Sequence, residues 1–86
     1  SAGKLSYAEH KEQQKKIRKA ERAVAESEEK ISKMEARIKE LDTLLCNPDH
    51  ASDMVLITEY TDIKKAIEKE EERWEKLSEE LETINI

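Results

Sequence analysis

Glycine and proline are almost missing from this chain: Gly3 and Pro48 are the only examples in 86 residues. A phosphate-cradling loop needs several glycines so that backbone amides can approach the ligand. Nucleotide-binding folds within the chain are thereby excluded, as is nearly any β-rich architecture with tight turns. Aromatic residues are just as scarce, amounting to Tyr7, Tyr60 and Trp74. Asp, Glu, Lys and Arg together take 37 positions, so apolar mass is too thin for a thick globular core. A helical seam two residues wide needs far less. No stretch approaches the roughly 20 apolar residues of a membrane span, and there is no signal-peptide pattern. The lone cysteine, Cys46, cannot form an internal disulfide, which makes a reducing cytoplasm the expected compartment.

What is present is helix-forming sequence with clear punctuation. Ser1-Ala2-Gly3 reads as an expression scar. Ser6-Tyr7-Ala8-Glu9 has the form of a capping box, in which Ser6 and Glu9 satisfy opposite backbone amides at a helix start. Nothing from there to Cys46 breaks a helix. Asn47-Pro48 stops it, because a residue before proline avoids the α region and proline cannot donate to the preceding turn. The predicted organisation is a hairpin over 4–86: a first helix over about 6–46, a connection over 47–53 with room for one helical turn after Pro48, and a second helix over about 53–83. Ser52 or Asp53 is suited to cap the second helix.

Apolar spacing defines the architecture. In the first helix Ile17, Ala20, Val24, Ser27, Ile31, Met34, Ile38, Leu41 and Leu45 alternate steps of three and four. In the second, Leu56, Tyr60, Ile63, Ile67, Glu70, Trp74, Leu77, Leu81 and Ile84 do the same. Each series is a heptad a/d seam. Folding at Pro48 and pairing residues whose numbers sum to 101 sets Leu45 on Leu56, Leu41 on Tyr60, and so on to Ile17 on Ile84. Every layer then matches an a to a d position. Trp74 falls opposite Ser27, with Ala20 and Ala23 nearby to make room, a size compensation that a parallel dimer has no reason to show. The predicted fold is all-α, an antiparallel two-helix coiled-coil hairpin. Arms of about 40 residues would reach roughly 60 Å at 1.5 Å per residue. So thin a hairpin is only marginally stable alone, and a parent domain or self-association is expected to support it.

Catalytic chemistry is hard to place. His10 and His50 lie near opposite ends of the hairpin and cannot share a metal within one chain. Cys46 has no basic neighbour within a helical turn to favour its thiolate. Glu70 is the polar member of its seam, with Lys30 and Arg73 within reach, and reads as a register-setting layer. No nucleophile, base and orienting partner converge, so the chain is not expected to be an enzyme, and no catalytic or metal residue is assigned.

Lys4-Leu5-Ser6-Tyr7 followed by Glu9 resembles the segment after the second ATPase domain in ABC-F proteins of the Uup branch. The remainder resembles their C-terminal coiled-coil domain: a basic first arm, an Asn-Pro-Asp tip at residues 47–49, then Glu72-Arg73-Trp74-Glu75 before Leu77 and Leu81. The resemblance runs from Lys4 to Leu81. It implies the tail of a soluble, cytoplasmic, twin-cassette ATPase without membrane spans, acting on ribosomes or in nucleic-acid transactions. ATP and magnesium would belong to cassettes upstream, leaving no cofactor for this chain. The implied partners are DNA or RNA and the parent's ATPase domains.

The heptad positions sort the charges by face. Lys11, Lys15, Arg18 and Arg22 occupy successive outward b and f positions, with Lys19 beside them. Residues 1–22 carry seven Lys or Arg against three Glu, although the whole chain has a net charge of -5. Glu68, Glu72, Glu75, Glu79 and Glu82 form the matching outward stripe on the second arm. Charge on the outer face of a coiled coil ordinarily provides solubility. The functional alternative is non-specific phosphate binding by Lys11, Lys15, Arg18, Lys19 and Arg22, without base stacking because no aromatic interleaves them. Two rival readings stand beside it: a structural protein-interaction coiled coil, docked through its tip or acidic stripe, and the tRNA-binding helical arm of a synthetase.

Overall fold

A computed structural model describes residues 6–85; the reading of residues 1–3 as a scar, and Lys4 and Leu5 of the opening motif, lie outside them. Two helices pack antiparallel as a hairpin: α1, Tyr7–Cys46, and α2, Met54–Ile84. The first is 40 residues long, a length sustained by Ala, Glu, Lys and Arg and by the absence of glycine and proline. The second has 31 residues, so the arms are unequal. Ser6 caps α1 with extended backbone, its hydroxyl accepting from the Glu9 amide at 3.1 Å. Of the two candidate caps for α2, Asp53 is used: its carboxylate accepts from the amides of Val55 at 2.9 Å and Leu56 at 3.4 Å.

The connection closes by consecutive turns, with no separate helical turn between Pro48 and the start of α2. The Asn47 amide bonds back to the Leu44 carbonyl, and the Asn47 side chain accepts from the Asp49 amide at 2.9 Å. The His50 amide then donates to the Asn47 carbonyl, and the Asp53 amide to the His50 carbonyl. Asn47 is favoured here because its short amide imitates a backbone turn. These bonds satisfy the polar backbone of a segment that has no strand or helix to do so.

All nine apolar-series residues of each helix are buried or half-buried, as an antiparallel seam requires. The deepest burial is on α1: among the described residues only Leu41, Ser27 and Ile38 fall below a tenth of their free exposure. Two helices alone wrap each seam residue on little more than one side, which explains the gradation. At the open end the Gln13 side-chain amide donates to the carbonyl of Ile84 at 2.7 Å. The end of α2 is therefore level with Gln13, and the first turns of α1, with Tyr7 84 % exposed, project past it.

Two details differ from the sum-of-101 layers. Ser27 donates its hydroxyl to the Glu70 carboxylate at 2.6 Å, although Glu70 was matched to Ile31 and Ser27 to Trp74. Knobs-into-holes packing lets each seam residue touch two facing layers, and Ser27 is the one hydroxyl in the α1 series that a carboxylate can use. Trp74, for its part, borders a shallow surface hollow with Glu28, Ile31, Ser32 and Glu35, on the tip side of Ser27. Helical side chains lean toward their own N-terminus, which for α2 is the tip. Ala20 and Ala23 instead line a separate groove with Leu77 and Ile84. The indole Nε1–H of Trp74 is buried with no acceptor among the described residues.

Candidate nucleic-acid interface

The basic stripe lies on the first four turns of α1. Lys11, Lys15, Arg18, Lys19 and Arg22 are all exposed. Among the described residues none of them has a carboxylate within 4.0 Å; the ion pairs there are Lys33–Glu29, Arg37–Glu40, Arg37–Glu59 and Arg73–Glu70. From Lys11 to Arg22 the stripe is roughly 17 Å long at 1.5 Å per residue. That corresponds to about five steps of a duplex at 3.4 Å each. The helix holds these cations at steps of four, three and four, so they stay on one side without any folding beyond α1 itself.

Lys19 differs from the other four in its surroundings. Together with Lys16 it borders the open-end groove floored by Ala20, Ala23, Leu77 and Ile84, with Glu80 on the α2 side. The expected acidic stripe is exposed along its length, at Glu68, Glu72, Glu75, Glu79 and Glu82, and again without a cation within 4.0 Å among the described residues. Opposite charges thus occupy the two helices without neutralising each other.

The remaining polar groups serve the seam. Glu70, 14 % exposed at its side chain, accepts from Ser27 and, at 3.0 Å, from Arg73. The Ser27 hydrogen bond is the largest influence holding its carboxyl below the usual range; burial opposes it, and Arg73 and the more distant charge of Lys30 assist. Lys30, expected within reach, acts only through its field. Arg37 clamps the helices together by a two-pronged pair, Nε to Glu59 Oε2 at 2.7 Å and Nη2 to Glu59 Oε1 at 2.8 Å, while its Nη1 holds Glu40 at 2.9 Å. The Arg37 hydrogen bond keeps the Glu59 carboxyl below its usual range, and the two carboxylates raise Arg37 further above neutrality. The seam assignment missed this clamp. Its signal was available: Arg37 and Glu59 each precede an a position, the flanking place where coiled coils form interhelical ion pairs.

His10 is exposed in the first turn of α1 and His50 half-buried in the tip, at opposite ends of the hairpin. Among the described residues no three of His, Cys, Asp or Glu are close enough to hold a metal ion, and no helix is long and apolar enough to cross a membrane. Cys46 is a free, exposed thiol. The most enclosed hollows are open grooves between the helices rather than clefts with converging polar groups.

A family model described as the ABC transporter C-terminal domain matches residues 4–79, which covers 76 of the 86 positions and includes the basic stripe, the tip and the Glu72–Glu75 stretch. Comparisons with curated proteins and with solved structures give no match. A continuous match over both arms agrees with the all-helical hairpin, and the chain belongs to the ABC transporter C-terminal domain family.

Proposed function

We propose that this hairpin is the non-catalytic accessory tail of a soluble, cytoplasmic ABC-F ATPase of the Uup branch, and that it holds DNA or ribosomal RNA by backbone phosphates through the α1 stripe. One observation carries the reading: five cations along the first turns of α1 are exposed and have no carboxylate partner among the described residues, so they present a row of charge to phosphates. Phosphate contacts position a protein without reading sequence, and a straight helix face with no aromatic offers nothing else. The chain does no chemistry itself; ATP and magnesium belong to the parent's cassettes. Its role is to place those cassettes on a polyanion.

Four phosphate contacts give a salt slope of about −3 to −4 on duplex DNA, with affinity on the order of 10⁻⁴–10⁻⁶ M at physiological salt. Fluorescence anisotropy with a labelled duplex and a ribosomal RNA fragment measures both. Lys15→Glu with Arg18→Glu should abolish binding while leaving the circular dichroism melt unchanged, since neither side chain enters the seam. Glu72→Lys with Glu75→Lys should preserve or strengthen it. Undiminished low-salt binding by the Lys15/Arg18 variant would reduce the stripe to a solvated face.

A further inference from the structure

The tip of the hairpin is chemically unlike its stem. From Glu40 through Ile63 the chain carries Glu40, Asp42, Asp49, Asp53, Glu59 and Asp62, and no Lys or Arg. Arg37 is paired with both Glu40 and Glu59, leaving one net negative charge in that cluster, and Asp53 is committed to capping α2. Asp42, Asp49 and Asp62 remain, all exposed and unpaired among the described residues. Between these carboxylates lies apolar surface that the seam does not use. Met54 and Val55, successive residues in the first turn of α2, are 67 % and 77 % exposed. Cys46, Pro48 and Ala51, also exposed, precede them at the end of α1 and in the connection. Of the three strongly exposed large hydrophobic residues among those described, two are therefore at the tip, and the third, Tyr7, is at the far end of α1.

We propose that the tip is a protein-docking surface, and that its partner presents an apolar patch ringed by Lys or Arg, such as the face of a basic amphipathic helix. Charge selects this occupant. A nucleic acid or an anionic lipid surface would bring like charge against Asp42, Asp49 and Asp62, and so would the tip of a second copy. A basic protein surface pairs with the acidic rim while its apolar centre covers Met54 and Val55. The turn is already closed by the Asn47, His50 and Asp53 bonds, so docking orders little new backbone. Its size limits its strength. The hairpin's Cα extents are 72 × 15 × 14 Å, and an end face that narrow is well short of the roughly 800 Å² per partner of a standard interface. Contact therefore spreads along α2 toward Thr58 and Asp62, and the affinity is weak, on the order of 10⁻⁴–10⁻⁵ M. This surface stands independently of the stripe near the opposite end, so either can fail without the other.

The test is an amide chemical-shift titration of the whole chain with a helical Leu/Lys peptide, run in parallel with duplex DNA. The peptide should shift amides over residues 46–62 while leaving 68–82 in place. Met54→Ser with Val55→Ser should weaken peptide binding at least about five-fold by removing most of the apolar contact. Asp49→Asn with Asp62→Asn should weaken it and flatten its salt dependence. Met54→Gln alone, which keeps the helical turn, serves if the double variant melts early. Equal affinity for the Met54 variants would overturn the proposal, as would peptide shifts confined to 68–82. So would tip shifts with DNA, or tip shifts that grow with protein concentration alone, which would make a second copy the occupant.

Discussion

Ser27 and Glu70 are each unfavourable in an apolar seam, yet acceptable as a pair. The fully buried Ser27 hydroxyl needs an acceptor, and the Glu70 carboxylate needs donors to offset its loss of water. From the heptad pattern alone, Glu70→Ile is expected to stabilise the hairpin by making one more layer apolar. The hydrogen bond changes that expectation. With isoleucine at 70, Ser27 loses its acceptor, at a cost of about 1–3 kcal/mol for an orphaned buried group. That loss offsets the added apolar contact, so Glu70→Ile should shift the melting temperature little. Ser27→Ala combined with Glu70→Ile removes both polar partners and should melt several degrees above both the parent and the single variant, as followed by circular dichroism. A double variant that melts no higher than Glu70→Ile would show that the Ser27 bond carries no weight.

The two helices are tied across the seam at separate levels, by Arg37–Glu59 toward the tip and by Ser27–Glu70 further down. Both acceptors are carboxylates whose native environment lowers their proton affinity. The sign follows from linkage: stability from such groups is fully present above the unfolded value, about 4.3 for Glu, and is lost as pH falls through the lower folded value. Thermal melts between about pH 3 and pH 7 should therefore show a declining limb below roughly pH 4.5. Glu59→Gln with Glu70→Gln should flatten that limb relative to the parent. Acidification also relieves repulsion among the α2 glutamates, but it does so in both proteins, so the difference between them isolates the two cross-links. Identical acid limbs would mean that neither carboxylate stabilises the native pairing.

As a whole the molecule is a rod. Its Cα radius of gyration is 20.1 Å, against about 12 Å for a compact domain of this length. With only Ile38 and Leu41 as buried apolar residues among those described, the hairpin has little apolar stabilisation in reserve, and supporting contacts from a larger protein are expected. Length is what the shape supplies: charged backs along the stem are held tens of ångströms from an acidic tip. Small-angle scattering at low concentration should return a radius of gyration near 20 Å with a rod-like cross-section. A chain whose two helices had swung apart would approach twice this length, which scattering distinguishes readily.

Sequence alone determined the number of helices, their punctuation and the face each one buries. Those features rest on local chemistry: Ser6 as a cap, Asn47-Pro48 as a stop, and apolar residues every three or four positions. Membership of the ABC transporter C-terminal domain family was also legible, in the opening motif and the Glu72–Glu75 stretch. Tertiary structure decided matters of layer and direction. A repeating seam looks nearly the same after a shift of one turn, so periodicity identifies the buried face better than the partner each side chain will find. Trp74 shares a surface hollow with Ile31, one seam layer closer to the tip than Ser27. The need of a carboxylate for donors brought Glu70 to Ser27. The charges divide in the same way. Which residues share an outward face was readable from heptad position, but that Arg37 is bound by two carboxylates while Lys11, Lys15, Arg18 and Arg22 have none among the described residues was not. Pairing depends on the distance between two helices, and only their packing sets that distance.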